Sequence, residues 1–219
     1  GINLYQRGLV SMERLQEILD TKPEIFDDTS ADPSIKEIKG DIEFRNLTFG
    51  YGEEPVLHDV SLKIPQGKTV ALGGRTGSGK STIVSLLPRL YNPPKGSLFI
   101  DGRDIYDIPL ETLRGGIGFV TQEPLLFSET IAENIAFGTE SAARAKIIEA
   151  AMMSGLHKEI DEFPAKYDTM LGERGVNISG GQKQRATIAR AIAIDPPILI
   201  LDDALSSVDT NTEEEILAN

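Results

Sequence analysis

The chain has 219 residues, 40% hydrophobic and 26% charged, with a formal net charge of −12, which is enough to bury a proper core in one or two domains. The acidic balance argues against a general nucleic-acid binder, which needs a basic footprint, and the absence of cysteine excludes a disulfide frame, thiol catalysis and cysteine-held metal. No apolar run approaches the ~18 residues of a membrane span and the N-terminus lacks a signal peptide's apolar core, so the chain as given is expected not to cross a membrane by itself.

In chain order, Tyr5, Leu9, Met12 and Leu19 recur at helical spacing, with Leu15 and Ile18 broadening the stripe. This predicts a surface helix over 1–20 that covers something apolar. Residues 21–40 carry Pro23, Pro33 and many acids without a period, and read as a linker wrapping the surface. From Asp41 to Ile64 the pattern becomes period two: Ile42, Phe44, Leu47 and Phe49, then Val60, Leu62 and Ile64, around a turn at 52–55. That predicts antiparallel strands with one apolar face. Tyr51 stands where the first strand ends, either as an edge aromatic or as a face on which a purine base stacks. His58 lies in the next strand and reads as structural.

The most informative stretch is Gly74-Arg75-Thr76-Gly77-Ser78-Gly79-Lys80-Ser81-Thr82, which fits G-x-x-x-x-G-K-[ST]. A glycine-rich turn lets successive backbone N–H groups face an anion, and the following helix presents its positive end. Lys80 then reaches the β- and γ-phosphates and the Ser81 hydroxyl can ligate Mg²⁺. Residues 69–73 read as a buried strand before the loop and 81–87 as a helix after it. A nucleoside triphosphate is the expected ligand.

Beyond the loop helix, Tyr91–Gly96 is a turn, Ser97–Ile100 a short strand, and Gly118–Val120 a second one leading to Gln122. An amide at the end of a buried strand near a phosphate loop can reach Mg²⁺ or orient an attacking water; otherwise it is a solvated loop residue. Residues 124–195 read as largely helical, with Ala142–Met153 the plainest helix and His157 a surface residue at its end. The apolar run Ile198–Leu201 ending in Asp202 has the form of a parallel strand delivering an acid to a metal. Before it, Ser179-Gly180-Gly181-Gln182 opens a helix through Ile194 and makes a second anion-binding nest. One nucleotide needs one nest, so the second makes sense if it completes the site of another copy.

The combination of the phosphate loop, Ile178-Ser-Gly-Gly-Gln182 and the apolar strand ending in Asp202 resembles the nucleotide-binding domain of an ABC transporter, over about residues 40–219. Ile178 departs mildly from the family's usual Leu. The resemblance implies an α/β P-loop NTPase with a RecA-like parallel sheet core, an antiparallel β-subdomain and a helical signature subdomain at about 123–195. Residues 1–39 become the helix and linker that follow a membrane domain. It implies ATP and Mg²⁺ as ligands, Tyr51 stacking on adenine, Gln122 as the Q-loop glutamine, Asp202 as the Walker B aspartate and Asp209 within the D-loop. The family's domains pair head to tail, with each ATP between one phosphate loop and the partner's Ser179-Gly180-Gly181-Gln182 equivalent.

Leu113-Arg114, the stretch Val120–Phe127, Thr130–Ile135 and the loop around Glu173 are similar to exporters whose membrane domain is fused ahead of the ATPase. That implies contact with transmembrane coupling helices through the Gln122 region and the Glu173 loop, at the cytoplasmic face of the inner membrane. Two departures stand out. The family places Glu after the Walker B Asp as general base; here it is Asp203, whose carboxylate is withdrawn by ~1.5 Å, enough to cost ~10²-fold in rate. The resemblance therefore points to the weakly hydrolysing half of a heterodimeric exporter, with a non-identical partner, although a small backbone shift would let Asp203 act as a base. The family's switch histidine also lies beyond Walker B, and neither His58 nor His157 is placed to substitute, so the sequence as it stands is expected to be C-terminally incomplete and short of a fully competent ATPase. Two other readings are a soluble ABC ATPase of repair or translation, and a nucleotide-gated regulatory module that binds ATP without turnover.

Overall fold

A computed structural model describes residues 2–139, 142–172, 177–205 and 216, with the side chains of 2–8 and 10 excluded. Helix α1 (Ile2–Asp20) leads into an antiparallel sheet of β1 (Ile42–Phe49), β2 (Leu57–Ile64), β3 (Leu98–Ile100) and β4 (Arg103–Asp104), in the order β2-β1-β3-β4. Helix α2 (Lys80–Leu86) follows the phosphate loop, and α3 (Leu110–Gly115) precedes β5 (Ile117–Val120). Four helices come next: α4 (Ile131–Ala136), α5 (Arg144–Met153), α6 (His157–Glu162) and α7 (Gly180–Ala193). They separate β5 from β6 (Ile198–Leu201), and the two strands pair in parallel, Ile117 opposite Ile198 through Val120 opposite Leu201.

Strict alternation would put Phe44 and Leu47 on opposite faces of β1, because they are three positions apart. A bulge resolves this. The register against β2 shifts between Phe44 and Leu47, Asn46 turns to φ 46°, and Arg45 and Asn46 both face out. Phe44 and Leu47 then both enter the core, with Leu98, Ile100, Leu86 and Leu113. A second core gathers Ile135, Ile147, Ala151, Ile160 and Ala189 from the four helices, with Tyr167 from the short 3-10 turn at Lys166–Asp168. The phosphate loop thus stands on one core, and the Ser179 helix on another.

Three expectations change. Residues 69–73 form no ladder among the described residues, and Val70 and Leu72 are 44% and 39% exposed. A strand exists only where neighbours supply hydrogen bonds, and β5 and β6 pair with each other and with no third strand among the described residues, with Leu199 on β6 44% exposed as well. Helix α1 forms, but its stripe of Leu9, Met12, Leu15, Ile18 and Leu19 is 44–82% exposed rather than seated on the rest of the chain. His157 opens α6 rather than closing the preceding helix, half-buried, with Nδ1 2.8 Å from the Tyr167 hydroxyl.

The stretch read as a linker is tied down from Glu24 onward. Ile35 and Ile38 join the first core. The Asp101 carboxylate accepts from the backbone N–H groups of Lys39, Gly40 and Asp41 at 2.6, 3.1 and 3.0 Å. Fully buried Arg89, just past α2, donates to the Phe26 carbonyl at 3.2 Å and lies 4.5 Å over the Tyr106 ring. Asp101 itself sits at φ 54°, a left-handed conformation that Asp tolerates better than most residues. Asp101→Ala removes one charged acceptor from three N–H groups and adds backbone strain. It should cost about 2–4 kcal/mol, read as a lower denaturant midpoint at unchanged m-value.

Candidate nucleotide site

The phosphate loop takes its shape from two glycines in the left-handed region, Gly77 at φ 81° and Gly79 at φ 90°. Gly79 is also the N-cap of α2, and a Cβ there would come within 2.7 Å of Leu57 Cδ2 on β2, so the position excludes a side chain twice over. At Gly74 a Cβ would meet Ser78 Oγ at 2.6 Å, and Ser78 N–H closes the turn onto the Arg75 carbonyl at 3.1 Å. Thr76 is exposed between them. Lys80 Nζ donates to the carbonyls of Gly74 and Arg75 at 2.9 and 3.1 Å, which folds the ammonium back across the loop.

The carboxylate strand comes to this loop. Ser81 Oγ donates to Asp202 Oδ1 at 3.0 Å, joining the first turn of α2 to the end of β6. Asp202 is held there by its own N–H, bonded to the Val120 carbonyl at 2.9 Å. One residue further, Asp203 sits at φ 52°, and Gln122 Nε2 donates to its Oδ2 at 3.2 Å. The four residues Ser81, Gln122, Asp202 and Asp203, dispersed over the sequence, therefore meet beside the loop. Glu173, Asp209 and the rest of Ser206–Asp209 lie outside the described residues.

The donor set suits Mg²⁺. A hydroxyl and a carboxylate stand together at the protein surface, and among the described residues no cluster of three acidic or histidine side chains could hold a metal unaided. Mg²⁺ fits such a site, since it takes one or two protein oxygens and completes its shell with phosphate oxygens and water.

Tyr51 follows a tight turn at Gly50, where a Cβ would lie 2.3 Å from the Glu54 carbonyl. The residue is 56% exposed, and its hydroxyl donates to Thr82 Oγ1 at 3.0 Å, next to the loop lysine and serine. The side chain thus stands over the first turn of α2.

The second nest is separate. Ser179 caps α7 with a reciprocal box: Ser179 Oγ accepts from Gln182 N–H at 3.2 Å, and Gln182 Oε1 accepts from Ser179 N–H at 2.8 Å. Ser179 and Gly180 are exposed, and Gly180 and Gly181 set their N–H groups in the first turn of the helix, where the helix itself supplies no acceptor. A network invisible in the sequence holds this end. Gln182 Nε2 donates to Glu159 on α6 at 2.6 Å, and buried Arg185 pairs with the same carboxylate. Only the helical spacing of Gln182 and Arg185 hinted that they share a face.

The segment after Gln122 is also fixed from α7. Arg190 donates to the carbonyls of Asn134 and Leu125 at 2.7 and 2.8 Å and lies over the rings of Phe127 and Phe137. Burial lowers its pKa from the usual arginine value. Buried Asn134 donates to the Phe127 and Thr130 carbonyls at 3.0 Å each, and Thr130 with Glu133 makes a capping box on α4. Beside it a groove of about 630 Å³ runs between β5 and α7, lined by Arg114, Phe119, Leu125, Phe137, Lys146 and Arg190.

Residues 57–206 match the ABC transporter family. The chain is 48% identical over 212 residues, 96% of its length, to a putative multidrug export ATP-binding/permease protein, YgaD, of Bacillus subtilis, and covers 36% of that protein. It is 44% identical over 214 residues, 98% of its length, to an ATP-dependent lipid A-core flippase of Syntrophus aciditrophicus, covering 35% of it. Among solved structures, a bacterial Atm1-family ABC exporter with ATP bound superposes with a TM-score of 0.89 at 40% identity, over 97% of this chain and 37% of that one. The chain thus spans about a third of the length of these relatives. With its phosphate loop, its Ser-Gly-Gly-Gln helix and this match, the chain belongs to the ABC transporter family, as its ATPase domain.

Proposed function

We propose that this domain binds ATP with Mg²⁺ at the 74–82 loop and uses its closure against a second nucleotide-binding domain to drive export through an associated membrane domain. The observation that carries the reading is the convergence of Ser81 on Asp202 and of Gln122 on Asp203 beside that loop. In this scheme the loop N–H groups and Lys80 hold the β- and γ-phosphates, while Tyr51 offers its exposed face to the adenine. Ser81 and Asp202 hold Mg²⁺, which when bound neutralises charge on the phosphates. Gln122 orients a water and Asp203 accepts its proton.

Asp203 sets the pace. Its carboxylate is one methylene shorter than the family's Glu, and Gln122 already occupies one of its oxygens at 3.2 Å. Binding does not depend on that reach, whereas in-line attack does. The site therefore holds ATP longer than it turns it over, the behaviour of the weaker site in a heterodimeric exporter with a non-identical partner. Exposed Ser179 and Gly180 complete the partner's site in turn. The groove beside Leu125 supports docking of transmembrane coupling helices next to the Gln122 segment, and the similarity to a putative multidrug export protein and a lipid A-core flippase supports an assembly that works in a membrane.

Turnover measured in the intact transporter with its partner should rise ~10- to 10²-fold in Asp203→Glu. An unchanged rate would show that the short carboxylate does not limit the site. Gly79→Ala, by contrast, should weaken ATP binding about tenfold or more, because the left-handed backbone and the Leu57 contact both oppose a Cβ; an equilibrium titration with a fluorescent ATP analogue reads this directly.

A further inference from the structure

Phe49, Tyr51 and Tyr91 form a three-ring cluster beside the phosphate loop. The Tyr51 and Tyr91 centroids are 4.8 Å apart with planes at 78°, and Phe49 meets Tyr51 at 5.4 Å and 82°. Phe49 and Tyr91 are 6.3 Å apart at 50°. Tyr51 and Tyr91 both remain substantially open, at 56% and 44% exposure.

Two rings set nearly at right angles cannot both lie parallel to one flat base, so a single base can stack on only one of them. Tyr51 is the ring fixed to the phosphate machinery, through its hydroxyl on Thr82 in the first turn of α2. It follows the Gly50 turn and belongs to no strand, so regular backbone structure does not set its tilt. The tilt is set by contacts: Thr82 at the hydroxyl, Phe49 across one edge and Tyr91 across another. Thr82 lies near the start of α2 and Tyr91 just past its end, so Tyr51 is braced from both ends of the phosphate helix.

We infer that Tyr91 is a positioning residue for nucleotide binding, whose edge-on packing holds the Tyr51 ring in the plane that an adenine base stacks on. The inference rests on Tyr51 being the base platform. Tyr91 then contributes to affinity for the base and not to affinity for the phosphates, which the loop and Lys80 hold independently.

The test compares equilibrium binding of Mg²⁺-ATP and of inorganic tripolyphosphate, which lacks a base, to the intact transporter carrying Tyr91→Leu, Tyr91→Phe or Tyr51→Leu. Tyr91→Leu should weaken ATP about 3- to 10-fold and leave tripolyphosphate unchanged, while Tyr91→Phe, which keeps the ring, should bind both like the native protein. Tyr51→Leu should weaken ATP at least as much as Tyr91→Leu, again sparing tripolyphosphate. Unchanged ATP affinity in Tyr91→Leu, or an equal loss for both ligands, would overturn the inference. So would a loss in Tyr91→Phe, which would assign the effect to the hydroxyl. Unchanged ATP affinity in Tyr51→Leu would remove the platform itself, a failure distinct from that of Tyr91 alone.

Discussion

The hydrogen bond from Ser81 to Asp202 joins residues 121 positions apart, and the site depends on what it brings together. Ser81 is carried by a helix whose start is dictated by Gly79, and Asp202 by a parallel strand whose register is fixed against Val120. If either element moved by one residue, the hydroxyl and carboxylate would part, since a one-residue slip in a strand turns every side chain to the other face. The same strand end delivers Asp203, and the β5 strand that pairs with it leads to Gln122. A two-strand parallel ladder thus aligns three of the four groups that surround the phosphate loop, and the loop's own helix supplies the fourth.

Local signals in the sequence went far because the site's chemistry is written in short runs. The phosphate loop, the capped Ser-Gly-Gly-Gln helix and the apolar strand ending in Asp202 each carry their geometry within about ten residues, and the resemblance then placed Gln122 and Tyr51. The strand expected at 69–73 shows the limit: apolar content marks a segment that can pair, but ladder hydrogen bonds must come from neighbours, and the described residues offer none. Phe44 and Leu47 show another, because a bulge at Arg45–Asn46 lets residues of the wrong parity share a face. The long-range polar contacts were not legible at all. Nothing in the pattern ties Glu159 to Gln182 and Arg185, Arg190 to the Leu125 carbonyl, or Asp101 to the Lys39–Asp41 backbone; each is a side chain meeting a distant segment that only the fold brings near.

Asp203 combines two properties in one residue. Its backbone is left-handed, a conformation in which Asp and Asn are enriched over longer side chains, and its carboxylate is the shorter of the two acids. On the proposed function, a position that favours Asp for conformational reasons would thereby give up reach toward a water on the γ-phosphate. Slow turnover with retained binding would then follow from geometry at a single residue, with the phosphate loop unchanged.

The two nests stand on different cores, the phosphate loop on the β-sheet side and Ser179 on the helical side, and each is exposed. On the proposed function, a nucleotide lying between two domains would use one nest from each. The native chain contains no cysteine, so a paired-cysteine experiment has a clean background within this domain. The most direct measurement introduces Arg75→Cys here and a cysteine at the signature serine of the facing domain in the intact transporter, then follows disulfide formation under mild oxidation. The account predicts efficient cross-linking with Mg²⁺-ATP and little without nucleotide. Cross-linking that is absent, or indifferent to ATP, would contradict a nucleotide shared between the two nests.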